Sequence, residues 1–214
     1  MISCRLKRVC DLVFSLLAVV ALSPVLLAVA IAIRLESPGP AIFRQTRVGR
    51  NQVPFEVFKF RSMKHNPQQR TDLVREGTLH SHDPRITRVG RALRSTSLDE
   101  LPQLLNVIRG QMSIVGPRPP IEDQLTAIAA ANYVRFNVRP GITGLAQVSG
   151  RRDLPWPEQL RLDRRYVEAW SLHLDLVILV RTIAVLVRPT GIYGSPKDNW
   201  RSFLRTNDPG RRHD

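Results

Sequence analysis

Residues 94–120 read RSTSLDELPQLLNVIRGQMSIVGPRPP and hold two adjacent carboxylates, Asp99 and Glu100. Ser97, with Glu100 three positions later, fits the capping box S-x-x-E, in which each side chain binds a free amide of the first helical turn. We therefore predict a helix that starts here and has both acids at the positive end of its dipole, where ionised carboxylates are favoured. Apolar side chains follow at helical spacing: Leu101, Leu104, Leu105, Ile108 and Met112.

Pro102 leaves the start of this helix open. Proline lacks an amide hydrogen and crowds the carbonyl four residues back. The helix either starts at Ser97 and loses one hydrogen bond or begins nearer Pro102. Gly110 is its predicted end.

Two interpretations of the acidic pair compete. Asp and Glu often occur in first turns only as caps, but adjacent carboxylates also serve as nucleophile and metal ligand. Gly-Pro-Arg-Pro-Pro (116–120) follows the pair, and its prolines pre-set Arg118 for bidentate phosphate binding. Acids in this basic, proline-stiffened setting indicate a polyphosphate substrate with a divalent cation between the charges. Four arginines precede the pair: Arg85, Arg88, Arg91 and Arg94.

Composition points to an anionic partner. The 214 residues contain 32 Lys and Arg against 18 Asp and Glu, a net charge of +14, which suits nucleic acid, an anionic membrane surface or phosphorylated substrates. The sequence has no zinc-finger, RRM or basic-zipper pattern, which favours membrane and phosphate. The only cysteines, Cys4 and Cys10, indicate neither a disulfide framework nor a Cys/His metal cluster.

An apolar segment of 22 uncharged residues runs from Leu12 to Ile33. A straight helix of this length is ~33 Å long and just spans a bilayer. A signal peptide with Ala28-Val29-Ala30 as cleavage site is disfavoured, because the apolar run continues past it. Pro24 near the midpoint, with Ser23 to bind freed backbone, instead predicts a re-entrant hairpin whose two ends share the cytoplasmic side. The residues alone leave the span and the hairpin open.

The remaining chain predicts short elements. Ala41–Val48 and Phe55–Phe60 indicate a β-hairpin, with Phe43, Phe55 and Val57 towards the core and Lys59 and Arg61 outward. We also predict a polar loop over the site (64–84) and a rigid turn in which Gly141 and Gly144 let the backbone approach a ligand. Three helices are predicted in the C-terminal half. They are a helix at Ile121–Tyr133, a charged helix at Glu158–Trp170 in which Asp163 pairs with arginines, and an interfacial amphipathic helix at Ser171–Arg188.

Several of these motifs together resemble the bacterial sugar transferases, which are monotopic polyprenyl-phosphate phosphoglycosyl transferases. The residues that carry the likeness are DPRITRVGRALRSTSLDELPQLLNVIRGQMSIVGPRP (83–119), FKFRSM (58–63), VRPGITGLAQVSGR (138–151) and the apolar segment broken at Ser23–Pro24. The resemblance covers roughly residues 5 to 190.

The resemblance implies a mainly helical α+β fold for a monotopic membrane protein, with a re-entrant N-terminal helix held in one leaflet, a small β-hairpin and interfacial amphipathic helices. We expect three parts: a membrane helix (1–38), a catalytic domain (39–190) and a polar tail (191–214). The family likeness also decides for the hairpin broken at Ser23 and Pro24.

The resemblance also implies an activity. A sugar-1-phosphate would pass from a UDP-sugar to polyprenyl (undecaprenyl) phosphate at the cytoplasmic face of the bacterial inner membrane, with release of UMP. Asp99 would be the nucleophile that forms a phosphosugar–aspartyl intermediate, and Glu100 would bind Mg²⁺, with Asp99 a further candidate ligand. The candidate substrate-binding residues are Lys59, Arg94, Arg118 and Asp175.

An alternative from another class is a membrane-anchored, nucleic-acid-binding protein that uses the +14 charge. It leaves Asp99 and Glu100 unexplained, because acids repel the phosphates of a nucleic acid, so we expect no nucleic-acid partner. The sequence does not identify the sugar or the pathway, and it leaves a homodimer open.

Overall fold

The structure is a computed structural model that describes residues 2–64, 83–187 and 199–206. The α-helices are α1 (Ile2–Glu36), α2 (Arg88–Thr96), α3 (Leu104–Ile108), α4 (Leu145–Val148), α5 (Trp156–Glu168), α6 (Leu172–Val187) and α7 (Trp200–Thr206). The strands are β1 (Ile42–Val48), β2 (Pro54–Phe60), β3 (Ser113–Val115) and β4 (Gly141–Thr143). Short 3₁₀ helices cover Arg50–Gln52, Leu98–Gln103, Glu122–Ala127, Ala130–Asn137 and Arg151–Asp153. The predicted mainly helical fold with a small β-hairpin is confirmed.

The predicted β-hairpin is formed by β1 and β2, which pair antiparallel with Phe43 opposite Lys59. Its predicted faces were partly wrong. Phe43 is 38 % exposed, whereas the neighbouring Val57 and Phe58 are both buried, so β2 has buried side chains on both faces. Because alternate residues of a strand share a face, Lys59 lies on the same side as Val57 and not on an outer face.

The predicted capping box is absent from the acidic motif. Ser97 adopts a left-handed conformation (φ 58°) that ends α2, and its side chain caps no amide of the next segment. Residues Leu98–Gln103 form a 3₁₀ helix, and α3 begins only after it. Pro102 disfavours an α-helix here, since its ring clashes with the carbonyl four residues back. The Glu100 side chain therefore does not cap a helix and instead contacts residues of other elements, Lys59 and Arg118.

Helix α1 runs without a break through Pro24. The Ser23 hydroxyl donates a 2.7 Å hydrogen bond to the Val20 carbonyl, the group that proline leaves without a partner. The predicted compensation by Ser23 is therefore present. The two halves belong to one continuous helix, so the predicted hairpin does not consist of two separate helices joined by a turn.

Both ends of α1 are docked on the rest of the protein. Near the N-terminus, Arg8 donates to the Val107 and Ile108 carbonyls at the end of α3, at 2.7 and 3.1 Å, and Asp11 accepts a 2.7 Å hydrogen bond from Ser113. At the other end, Glu36 accepts hydrogen bonds from the first amides of α2, at Arg88 and Val89.

The middle of α1 is apolar and exposed. Within its most apolar 18-residue stretch only 6 % of the residues are buried, and α1 is the one described helix long and apolar enough to cross a membrane. Leu17 and Val20 are 66 % and 72 % exposed. A surface of this size and polarity is typical of a lipid-facing segment rather than of a core helix.

The C-terminal half adds elements that the sequence analysis predicted only in part. Helices α5 and α6 match the predicted ones, but the helix predicted at Ile121–Tyr133 is replaced by two 3₁₀ segments. The parallel pairing of β3 with β4 was not predicted. Within the expected polar tail, α7 packs Trp200, Phe203 and Leu204 on the core. The rest of that tail and the polar loop predicted over the site lie largely outside the described residues.

Gly90 allows α2 to lie directly on the chain after β2. A Cβ atom built at Gly90 would stand 2.0 Å from the backbone oxygen of Ser62. This close approach brings Arg94, one turn later, within hydrogen-bonding distance of the Ser62 hydroxyl, at 2.8 Å.

We predict that Gly90→Ala lowers the melting temperature, with a loss of about 1–3 kcal/mol in the free energy of unfolding, because the added methyl group overpacks the contact. In an exposed helix the same change would stabilise by ~1 kcal/mol. Thermal unfolding of the solubilised protein tests this, with Ser95→Ala at an exposed position of α2 as the control. A Gly90→Ala protein as stable as wild type would contradict the contact.

Candidate active site

The carboxylate of Glu100 is shared by two cations from different elements. Its Oε1 atom accepts hydrogen bonds from Lys59 Nζ of β2 and from Arg118 Nη2 of the loop after β3, each at 2.8 Å. Oε2 lies 3.5 Å from Arg118 Nη1. The structure therefore brings together three residues that the sequence analysis selected, across 41 and 18 positions of the chain.

The charges of this cluster compensate for its burial. Burial by itself would raise the pKa of Glu100, but the positive charges of Arg118 and Lys59 and their hydrogen bonds outweigh it and hold that pKa well below its usual value. Burial lowers the pKa of Lys59 to about 8, although the charge of Glu100 acts in the opposite direction. At neutral pH the cluster thus holds one carboxylate and two cations, a net positive charge.

Asp99 is next to this cluster but is held differently. Burial and the neighbouring charge of Glu100 raise its pKa, and the charges of Lys59, Arg94 and Arg118 offset part of that effect. No side chain of the described residues donates a hydrogen bond to its carboxylate. Of the two acids, Asp99 is therefore the one whose oxygens are available to react.

Arg94 and Arg151 extend the positive charge around Asp99. The Arg94 Nε atom donates to Ser62 Oγ at 2.8 Å, and its charge acts on Asp99. Arg151, in a left-handed conformation (φ 56°), reaches within 3.4 Å of Ser97 Oγ and interacts with the charges of Glu100 and Asp99. The sequence analysis did not select Arg151. The sequence feature that could have pointed to Arg151 is its place as the last residue of the 138–151 motif, directly after Gly150.

Arg118 is fixed by hydrogen bonds to the carbonyl groups of its own loop. The Pro117 carbonyl accepts from the Gly141 amide at 2.9 Å, and the Pro120 carbonyl accepts from the Val48 amide at 2.9 Å. The Arg118 carbonyl accepts from Arg135 Nη2 at 2.6 Å. Prolines have no amide hydrogen to donate, so this loop is held mainly through its acceptors.

Gly141 and Gly144 serve this loop rather than a ligand. A Cβ atom at Gly141 would lie 2.1 Å from the Gly116 amide nitrogen, and one at Gly144 would lie 2.1 Å from the Gly116 carbonyl oxygen. The prediction that these glycines admit a ligand to the backbone is therefore replaced by close packing of β4 against the start of the Arg118 loop.

Asp175 and Arg61 bind other partners. The Asp175 carboxylate accepts hydrogen bonds from Lys7 of α1, from the Tyr166 hydroxyl and from the Trp170 indole, at 2.5, 2.7 and 3.2 Å. The structure thus does not bring Asp175 into contact with the Glu100 cluster. Arg61 is buried and donates to the Ile33, Ser37 and Pro38 carbonyls at the end of α1.

The donor set at the two acids fits a divalent cation only in part. No group of three or more His, Cys, Asp or Glu side chains within the described ranges surrounds a common point. Mg²⁺ commonly uses one or two carboxylates and takes its other ligands from substrate phosphates and water. Asp99 and Glu100 match that minimal protein contribution.

Comparison with known proteins assigns the family. The profile of the bacterial sugar transferase family matches residues 2–189, and the chain belongs to this family. It is 44 % identical over 195 residues to the UDP-glucose:undecaprenyl-phosphate glucose-1-phosphate transferase of Caulobacter vibrioides, with 87 % of this chain and 72 % of that protein covered.

Two further relatives differ in length. The exopolysaccharide production protein ExoY of Sinorhizobium fredii is 41 % identical, and the match covers 87 % of this chain and 88 % of ExoY. The UDP-glucose:undecaprenyl-phosphate glucose-1-phosphate transferase of Escherichia coli is 43 % identical over 83 % of this chain, but only 39 % of that protein is covered. The chain thus corresponds to nearly all of one relative and to a part of another.

The Lys59–Glu100 pair predicts a measurable titration. In ligand-free protein with chelator present, Lys59 should be acylated with a pH midpoint at about 8, as mass spectrometry of the labelled peptide reports. Because the charge of Glu100 raises this pKa, Glu100→Gln should move the midpoint to lower pH. Lys64, an exposed lysine, is the internal control. A Lys59 midpoint that stays in place in Glu100→Gln would show that the pair does not form.

Proposed function

We propose that this protein transfers a sugar-1-phosphate from a UDP-sugar to a polyprenyl phosphate and releases UMP. Membership in the bacterial sugar transferase family supports a transferase, and the names of two relatives support this pair of substrates. The observation that carries the proposal is the site itself: Asp99, a carboxylate with no side-chain hydrogen bond among the described residues, lies beside a partly buried cluster with net positive charge. Such a site suits two anionic phosphates that must meet.

In the first step the ionised Asp99 carboxylate attacks the β-phosphorus of the UDP-sugar. A bond forms between an Asp99 oxygen and this phosphorus, and the bond to the bridging oxygen breaks, so UMP leaves with the bonding electron pair. Lys59 and Arg118 offset the negative charge that develops on the phosphoryl oxygens. Glu100, already paired with both cations, keeps them in place rather than reacting.

In the second step a phosphate oxygen of the polyprenyl phosphate attacks the phosphorus of the phosphosugar–Asp99 intermediate. The Asp99–phosphorus bond breaks, which regenerates the carboxylate and yields polyprenyl-diphosphate-sugar. Asp99 and Glu100 are the residues that would hold Mg²⁺, which supplies further charge neutralisation on the diphosphate when bound.

We place the protein at the cytoplasmic face of the inner membrane, with α1 re-entrant in one leaflet. Lys7, Arg8 and Asp11 near one end of α1 and Glu36 at the other all bind the same core, while the apolar middle is exposed. Docking of both ends on one body, with the apolar middle exposed between them, supports a helix that enters and leaves the lipid on the same side, with Pro24 as the place where it bends. The exposed apolar residues of α6, such as Val180 and Ile183, suit the same membrane surface.

A panel of UDP-sugars incubated with pure protein, Mg²⁺ and undecaprenyl phosphate tests the function. With one or a few sugars, UMP should be released in excess of the enzyme when lipid phosphate is present, and at no more than one equivalent per enzyme when it is absent. No UMP with any UDP-sugar would contradict the proposal. Salt-sensitive DNA or RNA binding in place of turnover would favour the nucleic-acid alternative.

Replacing the proposed nucleophile gives the sharpest kinetic prediction. Asp99→Asn should lower the rate of UMP release on the order of 10³-fold or more, because an amide is not a nucleophile. The melting temperature should change little, since Asp99 makes no side-chain hydrogen bond within the described part of the chain. Asp123→Asn, at an exposed carboxylate, is the matched control. An Asp99→Asn enzyme with a tenth of wild-type activity would rule out the covalent route.

The topology predicts one-sided labelling. In a protein without Cys4 and Cys10, single cysteines from Ser3→Cys, Pro40→Cys and Ser95→Cys should all react with an impermeant maleimide from the cytoplasmic side. The third reports the side of the catalytic core. Labelling of Ser3→Cys and Pro40→Cys from opposite sides would show a full span and reject the re-entrant helix.

A further inference from the structure

Within the described residues, Arg135 is the charged side chain that donates a hydrogen bond to the backbone carbonyl of Arg118. Its Nη2 atom donates a 2.6 Å hydrogen bond to the Arg118 carbonyl and forms an ion pair with Asp163 Oδ2 on α5, at an N···O distance of 2.9 Å. The exposed fractions of the Arg135 and Asp163 side chains are 4 % and 5 %. A cation that is this deeply buried needs a fixed counter-ion, and Asp163 is that counter-ion.

The pair acts on a loop whose other residues have anchors of their own: the Gly116 amide donates to the Thr143 carbonyl at 2.9 Å, and the Pro119 carbonyl accepts from Arg47 Nη1 at 3.2 Å. Three of the five residues 116–120 are prolines, so the loop relies on donors from its neighbours. The donors to Pro117 and Pro120 are backbone amides of β4 and β1, which belong to the sheets. At Arg118 itself the donor is a side chain, so the position of this residue depends on where Arg135 is held.

The positive charges of Arg135 and Arg118 favour the ionised form of Asp163. Burial raises the pKa of Asp163 to about 6, while the charges of Arg135 and Arg118 act in the opposite direction. Arg135 Nη1 and Asp163 Oδ1 are also buried without a hydrogen-bond partner among the described residues. Their polar contacts are thus concentrated in the 2.9 Å ion pair and the hydrogen bond to the Arg118 carbonyl.

We propose that Arg135 and Asp163 are positioning residues that set the Arg118 guanidinium against Glu100 and the substrate phosphates. The proposal rests on the proposed transferase function for its kinetic readout. The pair touches no reacting atom, and its effect reaches the substrate only through Arg118. A displacement of ~1 Å at a phosphate-binding group can lower the rate about 100-fold.

The test replaces the pair as a unit. A single change would leave a buried charge unpaired and could unfold the protein, whereas similar-sized apolar residues in place of both partners often preserve or increase stability. The double variant Arg135→Met with Asp163→Leu should therefore fold, as its melting temperature reports. Its kcat/KM for UMP release should fall about 10- to 100-fold, while Glu158→Gln, which removes an exposed ion pair of the same helix, should change nothing.

A double-mutant cycle separates positioning from general structure. In an Arg118→Ala background the double variant should cause no further loss of kcat/KM, because the residue that it positions is gone. Equal losses in both backgrounds, or a folded double variant with wild-type kcat/KM, would overturn the proposal.

A structure of the double variant gives a readout that does not need activity. The proposal expects the Arg118 guanidinium to leave Glu100, and an unmoved Arg118 would contradict it whether or not the wild type turns over. An inactive wild type with every UDP-sugar would contradict the transferase function alone.

Discussion

Everything at the site depends on one partly buried carboxylate, Glu100, that accepts 2.8 Å hydrogen bonds from both Lys59 and Arg118. Removing either cation would leave Glu100 with a single partner in a partly desolvated position, which would destabilise the site. The three residues come from β2, the 3₁₀ segment and the loop after β3, so this contact joins the main parts of the catalytic core. It also separates the roles of two adjacent acids: Glu100 is engaged, and Asp99 remains available.

The scaffold orients this cluster relative to the exposed apolar middle of α1. Helix α1 contacts α3 through Arg8 and α2 through Glu36, and these two helices flank the 3₁₀ segment that bears both acids. Buried Arg61, two residues after Lys59, binds the last carbonyls of α1. The exposed apolar middle of α1 therefore lies at a fixed distance from Asp99, which suits a reaction between a water-soluble nucleotide sugar and a phosphate at the end of a lipid.

The sequence predicted the parts whose signals are local. Alternation revealed the β-hairpin, charge and hydropathy revealed α1, α5 and α6, and proline with glycine marked the Arg118 loop. It failed where distant contacts decide. The capping box predicted at Ser97 does not form, because Pro102 disfavours an α-helix at this point and because Glu100 binds the two cations Lys59 and Arg118 instead. The parallel β3–β4 pair has no local signature, because it depends on elements far along the chain. The inward side of Lys59 did have one, since strand alternation places it on the face of Val57, and the sequence analysis assigned that face wrongly.

The division of labour between the two acids can be measured directly. Wild-type protein incubated with its UDP-sugar and Mg²⁺, without lipid phosphate, should gain the mass of one sugar phosphate, and peptide mapping should place it on Asp99. Addition of undecaprenyl phosphate should then remove it. An adduct on Glu100, or turnover with no adduct on either carboxylate, would contradict the account, because Glu100 would then not be the paired and unreactive acid.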